Sequence, residues 1–131
     1  MSSREELIRY RLQRANEALE DARVLAAGNR WQACVGRLYY ACFYAAIGLL
    51  LSRDLETSTH RGVRSLLNEH FVVPGLITRP LARIYNDLFE RRQENDYMDF
   101  IRVTEEQVAP WIPRAEEFVA AVTALAAEPA G

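Results

Sequence analysis

The chain of 131 residues contains no lysine, and all sixteen of its basic residues are arginine. A guanidinium is a planar fork suited to bidentate contacts with carboxylate or phosphate, although genome composition or a hot habitat accounts for such a bias more simply than function does. Cysteine is scarce too. Cys34 and Cys42 are eight apart in a stretch that reads as one helix, a rise of about 12 Å, which is too far for a disulfide between them. They read as packed thiols in a reducing, cytoplasmic compartment. The two histidines, His60 and His70, are ten apart, with no His-x-x-x-His and no cysteine pair at ligand spacing. That argues against a metal site, and no cofactor is expected. A phosphate loop, a nucleophile elbow and a dinucleotide fingerprint are all missing. No useful length alternates with period two, which excludes a sheet protein. The start lacks the basic-apolar-small pattern of an export signal.

Positive charge is not in excess. Arginine is outnumbered by 18 acids for a net charge of −2, which argues against coating nucleic acid by bulk electrostatics. The distribution is uneven, however: residues 1–92 hold 14 arginines against 10 acids, and residues 93–131 hold 2 against 8.

What the chain does hold is apolar residues, half of the total, enough for one domain with a core of its own. The stretch Gly36–Leu51 organises it. From Leu38 onward nothing there is charged, and apolar residues fall at every helical angle, the mark of a buried central helix or a membrane span. The uncharged run is shorter than the roughly 18 to 20 residues a bilayer needs, so a central bundle helix, and no membrane, is expected. Before it, Ile8, Leu12, Ala15, Leu19, Ala22 and Ala26 form one seam of a first helix, with Ser3 and Glu6 as a capping box and Gly28 as the stop. Asn29 with Gln32 is expected to cap the central helix. Thr57 or Ser58 can cap a third helix carrying His60, Val63, Leu67 and His70 on one face, ended by Val73-Pro74-Gly75. Thr78 and Pro80 open a fourth, with the stripe Leu81, Ile84, Tyr85, Leu88 and Phe89. Thr104 with Gln107 caps the last, whose start Pro110 and Pro113 should kink or delay. The expected fold is all-α, a five-helix bundle around a central apolar helix, one domain over residues 1–131 with a frayed tail at about 127–131.

Arg92 breaks the pattern. It falls in the middle of the stripe made by Leu81, Tyr85 and Leu88, where a charge must be paired, line a cleft or face a second chain. Arg91 flanks it. Asp96 and Tyr97 follow a turn later, and a structural Arg92–Asp96 ion pair is the simplest account from periodicity alone. Arg37 is expected to pair with a glutamate of the first helix. Tyr39, Tyr40, Phe43 and Tyr44 read as core before they read as base-stacking platforms.

Three segments occur in order: Gly36-Arg37-Leu38-Tyr39-Tyr40-Ala41, His60-Arg61-Gly62-Val63, and Arg92-Gln93-Glu94-Asn95-Asp96-Tyr97. Together they resemble the small single-domain branch of the HEPN superfamily, over about Ala18 to Val122. The resemblance implies a helical bundle that dimerises with its arginine-bearing helices across a cleft. It also implies kinship with metal-independent RNA-cleaving toxins, often encoded beside a minimal nucleotidyltransferase. On that pattern Arg92, Asp96 and Tyr97 are the catalytic candidates, and Arg91, Arg92 and His60 the candidates for holding RNA phosphate. RNA-cleaving members carry Arg, four to six residues, then His, whereas here Tyr97 occupies that position. A general base for a ribose 2′-hydroxyl needs a pKa near the working pH, which tyrosine lacks. The resemblance therefore implies RNA binding with weak cleavage or, as the alternative, a non-catalytic module that partners the nucleotidyltransferase.

Overall fold

The computed structural model describes the backbone of residues 2–97 and 102–128, and the side chains of all of these except 93–97. Among the described residues six α-helices occur in order: α1 (Ser3–Ala27), α2 (Trp31–Ser52), α3 (His60–Leu67), α4 (Arg79–Tyr97), a single turn α5 (Glu105–Val108) and α6 (Trp111–Ala127). With α5 as a lead-in turn to α6, this is the expected five-helix bundle, and no strand occurs among the described residues. The break falls where Pro110 immediately precedes α6, and Pro113 sits in its first turn, where a missing N–H leaves no hydrogen bond unmade.

α2 packs against every other α-helix. Leu38, Tyr39, Ala41, Cys42, Ala45, Ala46 and Leu49 are fully buried, which is what an all-round apolar helix requires. By length and composition α2, at 22 residues, is apolar enough to cross a bilayer, so the shortness of its uncharged run does not settle the matter. Its setting is that of a core helix, with 67% of its most apolar window buried inside the bundle. At Gly48 a Cβ would come within 3.1 Å of Leu12 Cδ2, so the glycine lets α1 lie close. Both cysteines are free and buried, and burial pushes each thiol's pKa up.

Several helix ends differ from expectation. Ser2, not Ser3, caps α1 by accepting from the Glu5 N–H. Asn29 caps nothing at the start of α2, where no side chain does. It instead closes α1 in the left-handed conformation at φ 59°, with Arg30 N–H reaching back to the Leu25 carbonyl at 2.8 Å. Asp54 repeats this after α2 at φ 59°, with Leu55 N–H on the Leu50 carbonyl at 2.8 Å. Asn and Asp are the residues other than glycine that tolerate this region best. α3 is capped by Thr59, not by Thr57 or Ser58. Beyond α3 a π-helical turn, Asn68–Val72, shifts the register. It buries Phe71 and Val72 and leaves His70 exposed beside Glu69, off the face of Val63 and Leu67. The caps at Thr78 and at Thr104 with Gln107 form as expected.

Arginines tie the helix ends together. Arg4 donates to the Leu51 carbonyl at 2.9 Å and pairs with Asp54 at 3.0 Å. Arg11 donates to the Ile47 carbonyl at 3.1 Å, and Arg53 to the Leu125 carbonyl of α6 at 3.1 Å. Arg4 and Arg53 thereby answer free carbonyls and the negative dipole at the ends of α2 and α6.

Candidate functional site: an arginine and a histidine over a tyrosine floor

The start of α3 is fixed by a tight local arrangement. Thr59 Oγ1 accepts from the Gly62 N–H at 2.9 Å, while Thr57 packs so closely that a Cβ on Gly62 would lie 2.2 Å from its Oγ1. Only glycine fits there. This holds His60, the first residue of α3, against α2. Its ring stacks on Phe43 with centroids 4.4 Å apart and planes 18° apart. Nδ1 meets the Tyr39 hydroxyl at 2.7 Å, and Nε2 has no hydrogen-bond partner among the described residues. Burial lowers the His60 pKa, and the positive charge of Arg92 lowers it further. The imidazole is therefore neutral at pH 7.

Arg92 approaches the same tyrosines from α4. Its Nη2 donates to the Tyr40 hydroxyl at 3.2 Å. Its guanidinium carbon stands 5.2 Å from the Tyr39 ring and 5.5 Å from the Tyr40 ring. Such cation–π contacts contribute about 0.5–2 kcal/mol each, depending on burial. The charge on the apolar stripe is thus half-buried and shielded by aromatic faces. Arg37 lies over the Tyr40 ring at 5.9 Å; no ion pair joins it to a glutamate of α1 among the described residues, contrary to expectation.

Tyr39 is fully buried, and burial pushes its phenol up to about 12. Tyr85 Oη is buried facing it, without a well-formed hydrogen bond. Tyr40, Phe43 and Tyr44 are only half-buried, so the aromatic run of α2 spans from the core out to the site. It is a floor rather than wholly core.

The structure therefore unites His60 with Arg92, which are 32 positions apart in the sequence. It separates Arg91, whose guanidinium lies 5.9 Å from the Trp111 ring on α6. The side chains of Asp96 and Tyr97 lie outside the described residues. Periodicity missed Tyr40 and Tyr39 as site residues because an aromatic on an apolar helix gives the same signal whether it is core or rim.

A cation held beside a neutral imidazole, over a polarisable floor, can bind a phosphodiester and accept a proton from its sugar. Comparison with known proteins gives the family. The family model of the HEPN domain matches residues 8–125. A UPF0332 protein of Thermotoga maritima is 39% identical over 125 residues, 95% of each chain. A protein of Methanocaldococcus jannaschii named "Putative toxin" is 34% identical over 105 residues, 80% of this chain and 78% of the relative. A second from that organism with the same form of name is 26% identical over 96 residues, 73% of this chain and 65% of the relative. The chain belongs to the HEPN domain family.

Proposed function

We propose that this protein is a toxin-type RNA-binding member of its family, in which Arg92 holds a backbone phosphate and His60 supplies the imidazole that position 97 lacks. The observation that carries this reading is the meeting of the two side chains on one pair of tyrosines, with His60 kept neutral by burial and by the Arg92 charge. A neutral histidine is the form that can act as a base. In the Nδ1–H tautomer His60 donates to Tyr39 Oη and presents Nε2 as the acceptor. The ribose 2′-hydroxyl gives its proton to Nε2 while its oxygen bonds to the adjacent phosphorus. The bond to the 5′-oxygen then breaks, that oxygen takes up a proton from water, and the imidazolium returns its own proton to the hydroxide so formed. Arg92 offsets the charge that builds on the phosphoryl oxygens. This chemistry routes no step through a metal.

Purified protein incubated with single-stranded RNA, with and without chelator, tests the reading. Arg92→Gln is expected to weaken binding about tenfold, the scale of one charge-assisted hydrogen bond. His60→Asn is expected to lower cleavage about 10²-fold or more while leaving binding near wild type. Tyr97→His is expected to raise cleavage, since it restores an imidazole on α4. Cleavage abolished by chelator, or indifferent to Arg92, overturns the mechanism. If wild type neither binds nor cuts RNA, the partnering of a minimal nucleotidyltransferase takes its place as the better reading.

A further inference from the structure

One turn from His60 along α3, and one turn from Arg92 along α4, the two helices meet again. Arg64, one turn after His60, stacks its guanidinium 4.1 Å from the ring of Phe89, which lies one turn before Arg92. Past Arg64 the space opens into a cleft of about 250 Å³ between α3, its π-helical turn and the first two turns of α4. His60 thus faces Arg92, Arg64 faces Phe89, and Asn68 and Asn86 line the far end, the two helices running in opposite chain directions. Arg79 and Arg92 mark the two ends on α4, 13 residues and so about 20 Å apart.

The polar groups of this cleft are all able to donate: Arg64, Arg79, Asn68, Asn86 and Ser65. No acid lines it. The nearest carboxylates in sequence are turned to other partners, Asp87 to Arg114 at 3.3 Å and Glu69 to His70 at 3.6 Å. Among the described residues neither Arg64 nor Arg79 has an ion-pair partner. That contrasts with Arg4, Arg11, Arg23 and Arg53, each of which is spent on a carboxylate or a main-chain carbonyl. Contact with Phe89 is not a hydrogen bond, so the Arg64 N–H groups can still take a bidentate acceptor. The remaining walls, from Leu67, Val72, Ala82 and Tyr85, lower the local dielectric and strengthen such an interaction.

We infer that the α3–α4 cleft is a phosphate subsite, gripped by Arg64 and Arg79 and continuous with the Arg92–His60 centre. The source of the phosphate as the RNA backbone rests on the function proposed above; the phosphate chemistry of the cleft does not. Two arms separate them. In the first, pyrophosphate alone is titrated while the side-chain amide NMR signals of Asn68 and Asn86 are followed. Saturable shifts are expected in wild type and their loss in the Arg64→Gln/Arg79→Gln variant, with Arg64→Lys keeping a weaker response. In the second, single-stranded RNA binding is measured against salt. The double variant is expected to reduce the slope of log K against log salt by roughly 0.7 for each phosphate it no longer neutralises, beyond any change from Arg92→Gln.

Pyrophosphate shifts together with a reduced RNA slope support one continuous track. Pyrophosphate shifts with an unchanged RNA slope support a separate site for small phosphate compounds and remove the RNA source. Absence of pyrophosphate shifts in a folded wild-type protein overturns the inference, whatever Arg92 does. Thermal melts of each variant exclude unfolding as the cause.

Discussion

His60 and Gly62 show how much a single residue carries here. His60 has a pKa below its ordinary value in the folded protein, because burial and Arg92 disfavour the imidazolium. The unfolded chain therefore binds this proton more readily than the folded one. Its contribution to stability is present above the ordinary pKa of about 6.5 and is lost as pH falls below that value toward the folded pKa. Melting temperature measured against pH should fall on the acid side of neutrality. The His60→Asn variant should show a shallower fall over the same window. Gly62 is a matter of space rather than charge. Gly62→Ala puts a methyl into the Thr57 side chain and is expected to cost about 1–3 kcal/mol, the usual range for overpacking. Adding Thr57→Ala, which removes both the hydroxyl and the methyl that crowd the site, should recover part of that loss in denaturant titrations.

Among the helices, α2 offers a test in the opposite direction. Gly36 lies within α2, and a Cβ there would meet nothing within 4 Å. Gly36→Ala should therefore raise stability by about 0.5–1 kcal/mol through helix propensity and a less mobile unfolded chain. No gain in a chemical denaturation curve would mean that the glycine serves a close approach to a second molecule. The helices themselves were legible from sequence because periodicity and caps agreed, as at Thr78 and Thr104. The misses have two causes. At Asn29 and Asp54 the left-handed closure is made by residues that are also good N-caps, so the signal was ambiguous. At Asn68–Val72 one extra residue per turn moved His70 off its stripe, and period-3.6 counting cannot see a π turn. The candidate site was half legible. Arg92 stood out as a charge on an apolar stripe, but its meeting with His60 depends on how α3 packs on α2, which local pattern does not encode.

At the scale of the molecule, the half-buried site and the family membership lead to the expectation of a homodimer, with light scattering at micromolar concentration as the check. A monomer mass would remove the second copy from the site. The burial of α2 has a further consequence, for the newly made chain. α1 and α2 are joined by only three residues and share an extensive interface, so their pairing closes a short loop and should come early in folding. The opposite faces of α2 are covered by α4 and α6, which are synthesised last. Until they dock, the chain presents a 22-residue helix apolar enough for a bilayer, with no charge between Arg37 and Arg53. Kinetic partitioning between docking, self-association and capture by lipid or chaperone is then set by how fast the last third of the chain arrives. Ribosome-bound chains stopped before α6 should bind vesicles or chaperone far more strongly than the finished protein does.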